Sequence, residues 1–545
     1  MVPNTLEPSG PGAQVAPTPT DAKPQGHATR PRVRTQDLVA PNALDKIWLV
    51  DPRVRPAAAK EDLLRFGIHG QYQVRYGSVP DISLNSYGFG NYRSSLGQTH
   101  RLEHYLRFAP TLSYRKTISI VTEFDLPRGM LLGQSTDHVD RDPEPLNERQ
   151  PMRFVPRWFY VDIALERGHV TVGQQPAFWG QGLVDDSGDR PQFLGDPRLG
   201  TIVERVAFTG RPLGKRHPWE LIVATDWVYS NGRVYAPDGD KALRAVLGNS
   251  YVLDDNLRFG ALIIAERIYP HQGDNDLRQL SPKETTVTFD VAGHIARPIP
   301  GTSALAFFAT EAAYVAGTTD LAEVLAPMDA KVRRFGAMAR AGVMQKRGKD
   351  RLQSGPLGIA VEWGYASGDS NPGDGVDHQF TTNPGRRIGL VLFDEVLRWK
   401  TARSAVALED PRLGQRQTGS AWAVPTAGGV GNATYLATQL LYRPLAMLDI
   451  RASAIVAQTA SDLVDPAQAL IFGTYSNFDG GRPTHRDLGL EFDAGFEYRK
   501  PLENGLCASF GIEAATLTPG KALADASGHS LGQKSLVRGR FGFYF

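Results

Sequence analysis

Apolar and polar residues alternate along most of the chain after residue 60. In the first such segment the apolar face is Leu64, Phe66, Ile68, Tyr72, Val74 and Tyr76, and the polar face is Arg65, His69, Gln71, Gln73 and Arg75. Residues 101–112 and 487–499 repeat the pattern. A core-facing surface of a soluble sheet rarely carries several charges, so the polar face must contact water. The other face is uniformly apolar and indicates lipid, as in the wall of a transmembrane β-barrel.

About eighteen segments with this period-2 pattern follow one another, and their connections alternate in length. The short ones include Arg167-Gly168 and Pro501-Leu-Glu-Asn504, whereas 78–99, 128–154 and 368–429 are long. This predicts an all-β fold: a monomeric 18-stranded antiparallel transmembrane β-barrel over residues 63–545, with short periplasmic turns and long extracellular loops. The predicted location is the bacterial outer membrane, and outer-membrane lipid is the predicted partner of the outer wall.

Aromatic residues on the outward face support this prediction. Trp219 and Trp227 lie eight residues apart, or about 20 Å along the barrel axis at roughly 3.3 Å per residue and a tilt near 40°. Aromatic girdles border an apolar band of about 25 Å in such barrels. The predicted girdle residues are Trp219, Trp227, Phe541, Phe543 and Phe545. A terminal strand of a soluble sandwich, and two core tryptophans, are the alternatives.

The N-terminal region has a different composition. Residues 1–45 are rich in Pro, Ala and Thr and predict a disordered tail. Residues 46–62, which include Ile47-Trp-Leu-Val50, predict a short segment at the periplasmic mouth. The tail lacks the apolar stretch of a signal peptide, so we expect that an export signal was removed before Met1 or left out of this sequence.

Composition excludes several other classes of protein. The 545 residues are 41% apolar with a mean hydropathy of −0.29, and no run of 18 apolar residues predicts a membrane-spanning helix. The formal charge of +2 is too balanced to indicate nucleic acid. The single cysteine, Cys507, excludes an intrachain disulfide framework.

Catalytic motifs are absent, since no complete Walker loop, GxSxG elbow or HExxH motif occurs, and we predict that the chain is not an enzyme. A carboxylate-based glycosidase inside the barrel is an alternative that no specific residue pair supports. No cofactor is predicted. The acidic loop 368–377 has the oxygen ligands that Ca²⁺ prefers, but turn formation explains the same residues.

The strand positions that alternate towards the inside of the barrel carry many of the charged residues and place them on the lumen wall. The predicted basic sector is Arg65, His69, Arg75, Arg101, Arg107, Arg538 and Arg540. The predicted acidic residues of the lumen are Glu123, Asp125, Asp162, Glu166, Glu362, Glu491, Asp493 and Glu497. We expect the arginines to stand in water and to favour the passage of anions. Alternatively, lumen charges neutralise one another in pairs.

Three segments carry a family resemblance: VTVGQQPAFWGQGLVDDSGD (170–189), EWGYASGDSNPGDGVDHQF (362–380) and LGLEFDAGFEYR (488–499). They resemble the alginate-export type of outer-membrane barrel and related myxobacterial polysaccharide-export proteins, although position 174 is Gln where that family commonly has Arg. The resemblance implies an 18-stranded barrel that exports an anionic polysaccharide, with periplasmic export components as partners, or a relative that passes other solutes.

These observations predict a channel for a hydrophilic, anionic polysaccharide or oligosaccharide. The alternatives are a general or substrate-selective uptake porin and a structural or adhesin-like surface barrel with a closed lumen. Residues 368–429 are the predicted plug of the lumen, because 390–408 lacks strand alternation and has the composition of a short helix.

Overall fold

The structure is a computed structural model of the chain. It describes residues 63–88, 92–115, 117–134, 152–189, 192–198, 200–254, 256–269, 271–272, 279–281, 283–319, 330–346, 354–410, 413, 425–503 and 506–545. The predicted tail 1–45 and the predicted mouth segment 46–62 lie outside the described residues.

Eighteen long strands of the described chain form one closed antiparallel sheet. Each strand pairs with its neighbours in sequence, and the first pairs with the last, with Gln71 opposite Tyr544 and Gly77 opposite Arg538. The predicted 18-stranded antiparallel barrel is therefore confirmed. The strands are β1 Leu64–Val79, β2 Thr99–Tyr114, β3 Ile118–Gly133, β4 Arg153–Ala164, β5 Gly168–Pro176, β6 Ile202–Gly210, β7 Trp219–Ser230, β8 Lys241–Asp254, β9 Leu257–Tyr269, β10 Glu284–Pro298, β11 Ala304–Thr319, β12 Ala330–Lys346, β13 Ser354–Ala366, β14 Ala433–Leu445, β15 Leu448–Thr459, β16 Asp487–Pro501, β17 Cys507–Pro519 and β18 Lys534–Tyr544.

The alternating sequence produces two different faces of the barrel wall. In β7, Glu220 and Asp226 point inward and are buried, whereas Val223 and Trp227 point outward and are exposed. Large apolar side chains are exposed in the same way on the other strands, with Phe159 at 65%. An apolar outer face around a closed barrel is stable against lipid, where every backbone group is already paired within the sheet. The protein is thus built for the bacterial outer membrane.

The two ends of the barrel differ in the length of their connections. One end carries connections of two to eight residues, such as 115–117 and 446–447, whereas the other carries the longest ones, 367–432 and 460–486. Leu64 lies opposite Tyr114 and Tyr544 opposite Cys507, so both ends of the sheet are at the short-turn end. The assignment of this end to the periplasm stays a prediction.

The long connections contain the remaining regular structure. A π-helical turn, Leu392–Leu397, continues into helix α1, Arg398–Glu409, and helix α2 spans Pro466–Phe472. Short 3₁₀ turns form at Ala236–Asp238 and Lys521–Leu523. Two-residue and three-residue strands lie at His271–Gln272, Gln279–Ser281 and Val376–Asp377. No helix among the described residues is long and apolar enough to cross a membrane.

Candidate functional site

The helical part of the connection 367–432 lies inside the barrel. Phe393 and Trp399 are fully buried, in an apolar cluster that includes wall residues such as Tyr435 and Leu517. The predicted short helix over 390–408 is therefore confirmed, and it occupies the lumen. Ala, Leu, Arg and Lys, which are all strong helix formers, make up much of its sequence.

A single wall carboxylate holds the start of this helical segment. Glu491 of β16 is fully buried and accepts three backbone N–H groups, those of Leu390 (2.6 Å) and Val391 (2.8 Å) through Oε1 and that of Leu392 (2.7 Å) through Oε2. A carboxylate is well matched to this position, because the first N–H groups of a helical segment have no partner within it. Glu491 therefore anchors the segment to the wall.

A second inserted segment, 177–189, is held in the same way by another strand of the wall. Glu311 of β11 accepts the backbone N–H of Leu183 (3.1 Å) through Oε1 and that of Gln181 through Oε2. Nearby, Trp179 donates its indole N–H to Asp290 of β10 (3.1 Å). Buried wall carboxylates thus fix both segments that fill the lumen.

The arginines of the predicted basic sector are buried or half-buried: Arg75, Arg101 and Arg107 are buried, and Arg65, Arg538 and Arg540 are half-buried. Arg107, which is 8% exposed, donates to Asp125 (2.7 and 3.1 Å) and to Asp189 of the inserted segment (3.0 Å). Arg540 forms ion pairs with Asp196 (3.2 Å) and Glu513 (3.1 Å). The expectation that these arginines stand in water is wrong for Arg107, which is buried against Asp125 of the wall and Asp189 of the inserted segment. These contacts agree with the alternative expectation, in which the lumen charges neutralise one another in pairs.

Three of the predicted arginines meet at one cavity of about 80 Å³ between β1, β2, β18 and the inserted segments. Arginines from the connections complete it, so that six line the cavity: Arg75, Arg101, Arg198, Arg387, Arg398 and Arg538. We call this the arginine cavity. Two other residues of the predicted basic sector, Arg65 and His69 of β1, do not line this cavity. They lie towards the short-turn end, opposite Ser113 and Ala109 of β2.

Four carboxylates balance the six arginines only in part. Glu103, Asp196 and Glu395 line the arginine cavity. Asp394 lies behind it and pairs with Arg198 (2.6 Å), Arg387 (3.1 Å) and Arg538 (2.8 Å). Counted over the described residues, six guanidinium groups and four carboxylates thus meet at this site, a difference of two positive charges.

The pKa values of the loop residues reflect this excess. Burial by itself would raise the pKa of Asp196, but the guanidinium groups of Arg75 and Arg540 outweigh it and lower this pKa to about 2. Burial lowers the pKa of Arg387 to about 10, and the neighbouring charges of Arg198 and Arg538 act in the same direction against Asp394. A bound anion would relieve the repulsion among these arginines.

Four of the predicted acidic residues, Glu123, Asp125, Glu362 and Glu497, pair with arginines at separate places on the wall. Glu123 binds Arg157 (2.8 Å), and Asp125 binds Arg107 and Arg128. Glu362 accepts from Arg386 (2.5 Å) and Tyr435 (2.7 Å). Glu497 pairs with Arg451 (2.8 Å), and Asp493 is buried on the same face of β16 as Glu491. They are not assembled into one acidic stripe.

Two acidic residues lie near the end of a strand. Asp162, close to the end of β4, contacts His169 (3.0 Å). Glu166 is exposed in the turn 165–167, which Leu165 closes by donating its N–H to Gly168 (2.8 Å). Because β4 ends at Ala164, strand alternation does not fix the direction of Glu166, and its lumen-facing position stays a prediction.

The predicted girdle residues lie on outward positions. Trp219 and Trp227 share the outer face of β7, and Trp227 is 39% exposed. Phe541 and Phe543 share the outer face of β18. Phe545 follows it and continues the sheet, because its backbone exchanges hydrogen bonds with Gly70 (2.9 and 3.0 Å). Their role as membrane girdles stays a prediction.

The acidic loop 368–377 uses its carboxylates to form turns. Asp369 accepts the backbone N–H groups of Asn371 (2.9 Å) and His378 (3.1 Å), and Asp374 accepts that of Val376 (2.9 Å). Over the part of the chain that the structure describes, no group of three or more His, Cys, Asp and Glu side chains is placed to hold a metal ion.

Sequence reasoning missed the arginines that come from the connections. Arg198, Arg387 and Arg398 lie in segments without strand alternation, so no parity assigns them to the lumen. Their position follows from the folding of the connections into the barrel, for which the only sequence signal is the helical composition of 390–408.

Comparison with known proteins finds similarity to solved structures of outer-membrane porins. No family model matches the chain, and no curated protein matches it. The outer membrane protein OprD from Pseudomonas aeruginosa is 9% identical with a TM-score of 0.47, covering 88% of this chain and 94% of its own. A BenF-like porin from Pseudomonas fluorescens Pf-5 is 10% identical with a TM-score of 0.46, covering 88% and 98%. The resemblance to the alginate-export type of barrel gains no support from these comparisons.

Proposed function

We propose that the protein is a substrate-selective outer-membrane channel for small hydrophilic anions. The observation that carries this proposal is the arginine cavity, where six guanidinium groups and four carboxylates of the described residues meet between the wall and the inserted segments. Fixed cations raise the local concentration of anions over a Debye length of about 8–10 Å. Low-dielectric surroundings strengthen this effect, because the inserted segments exclude most of the water.

The contents of the lumen favour small solutes over a polymer. The helical segment and the segment 177–189 are both buried inside the barrel, and two of the cavities among the described residues have volumes of about 80 and 110 Å³. A polysaccharide needs a continuous wide passage, whereas a small anion needs only local openings. The alternative of a selective uptake porin therefore fits better than polysaccharide export, and the direction of flow follows the solute gradient.

Reversal potentials in planar bilayers test the proposal. The variant Arg101→Gln/Arg387→Gln/Arg398→Gln changes the arginine cavity from two excess positive charges to one negative charge. Its reversal potential in a KCl gradient should shift towards cation selectivity, and the shift should shrink in about 1 M salt. The matched control is Arg258→Gln, which removes a lumen-facing charge near the short-turn end. A selectivity in the triple variant equal to that of the wild type would overturn the proposal.

A structural surface barrel is the second candidate, because both inserted segments are anchored to the wall by buried carboxylates. Such a barrel would show no conductance in the wild type. It would also stay closed when the anchor at Glu491 is removed. Conductance in either protein contradicts this second candidate.

A further inference from the structure

A second cavity lies on the other side of the inserted segments, against β8, β9, β10 and β12. It has a volume of about 110 Å³ and shares no lining residue with the arginine cavity. The inserted residues 379–384 form its inner side. Its wall is built from different side chains, so its ligand preference can be considered separately.

The arginines of this cavity are all paired with carboxylates. Arg244 binds Asp185 through two hydrogen bonds (2.6 and 3.1 Å). Glu284 accepts from both Arg233 (2.6 and 2.9 Å) and Arg334 (2.9 and 3.0 Å). Arg334 also binds Asp377, and the carboxylate of Glu266 faces the same space. Three arginines thus meet four carboxylates, and the cavity has no positive excess to attract an anion.

Hydroxyl groups are the polar groups that remain for a ligand. Thr286 and Thr288 lie two residues apart on β10, point into the cavity and are 3% and 6% exposed. Within the described residues their hydroxyls make no hydrogen bond to the protein. A hydroxyl both donates and accepts, so a pair of them complements a solute that carries hydroxyls of its own. Glu266 adds an acceptor beside them, where Asn231 already donates to it (3.3 Å).

Apolar groups cover the rest of the cavity. The ring of Phe380, which is 3% exposed, and the side chains of Ile264, Val315 and Pro384 line it. Flat apolar surfaces beside hydroxyls and a carboxylate suit the C–H faces and hydroxyl edges of a sugar. The volume of about 110 Å³ has room for about seven waters at roughly 15 Å³ each, so a small solute can displace several waters at once.

We propose that this second cavity is a binding site for a neutral polyhydroxylated solute of the size of a monosaccharide. The proposal goes beyond anion passage and does not depend on it, because no residue is shared between the two cavities. A solute that carries no net charge avoids the repulsion that the fourth carboxylate, Glu266, exerts on an anion in these buried surroundings.

Saturation-transfer NMR on the whole barrel tests this proposal. The protein is held in a zwitterionic detergent without sugar groups, and D-glucose is titrated as the probe. The wild type should give a saturable signal, with acetate as a competitor having no effect. The variant Thr286→Val/Thr288→Val should bind glucose about ten- to thirtyfold more weakly, since two hydrogen bonds are lost.

Two further variants separate loss of binding from loss of folding. Thr286→Ser/Thr288→Ser keeps both hydroxyls and should retain the affinity of the wild type. Thr209→Val removes a buried hydroxyl of β6 outside the cavity and should leave binding unchanged. A wild type without a saturable glucose signal, or equal affinity in the valine variant, would overturn the proposal. The Arg101→Gln/Arg387→Gln/Arg398→Gln variant should still bind glucose, whether or not its anion selectivity changes.

Discussion

The substitution Glu491→Gln should release the helical segment from the wall and open the lumen. In the wild type this carboxylate accepts three backbone N–H groups at 2.6–2.8 Å while fully buried. Hydrogen bonds to charged groups contribute about 1.5–3 kcal/mol each. The amide of Gln keeps one oxygen as an acceptor for the N–H groups of Leu390 and Val391, but its NH₂ group faces the N–H of Leu392.

The expected loss of anchoring free energy follows from this replacement of a carboxylate by an amide. One charge-assisted bond is lost and leaves a buried N–H without a partner, and two others become neutral bonds of about half the strength. The anchor should weaken by about 3–5 kcal/mol, which corresponds to a hundredfold or greater increase in the population of the released state. The ion pairs of Asp394 with Arg198 and Arg538 remain in the variant. The helical segment should therefore leave the wall transiently and return, instead of leaving the lumen permanently.

Single-channel recording in planar bilayers measures the effect. Glu491→Gln should show frequent openings of larger conductance than the wild type. The matched control is Asp449→Asn, which removes a buried carboxylate that binds Arg443, Arg451 and Arg499 of the wall. This control should lower the thermal stability of the barrel without producing the larger openings. If Glu491→Gln showed the same openings as the wild type at the same frequency, the anchoring argument would be refuted.

Three other predictions concern the inserted segments. Burial raises the pKa of Asp465 in the folded protein to about 6. The protonated carboxyl therefore contributes at most about 3 kcal/mol of stability, which is present below about pH 4 and is lost as the pH rises through 6. Thermal melts of the wild type from pH 4 to 7 should show this fall in stability, and melts of Asp465→Asn should not. Lys400→Met leaves the buried carboxylate of Asp479 without its ion-pair partner at 2.6 Å. The free energy of unfolding should fall by about 3–5 kcal/mol, and the double variant Lys400→Met/Asp479→Leu should recover most of this loss. Gly336→Ala puts a Cβ into the ring of Phe380 and should destabilise the barrel by about 1–3 kcal/mol, while Gly539→Ala, which meets no neighbour, should not.

The wall of the barrel could be predicted from the sequence because strand alternation is a local property. A period of two assigns each residue to the lipid face or to the lumen face without knowledge of its partners. This is why Arg75, Arg101 and Arg538 were placed on one wall, and why eighteen strands could be counted. The same reasoning does not reach Glu166, which follows the end of β4, since alternation assigns a face only within a strand and the sequence marks the strand end only approximately.

The contents of the lumen were decided by the tertiary structure. Glu491 meets Leu390 across 101 residues of sequence, and Glu311 meets Gln181 across 130. No local pattern encodes such contacts, because the backbone N–H groups that these carboxylates bind belong to every residue alike. The packing of these segments converts solvated arginines into buried ion pairs and adds Arg198, Arg387 and Arg398 to the site. The sequence alone determined a polar lumen wall, whereas folding of the connections into it determined which charges stay unbalanced, since that depends on which loop carboxylate reaches which arginine.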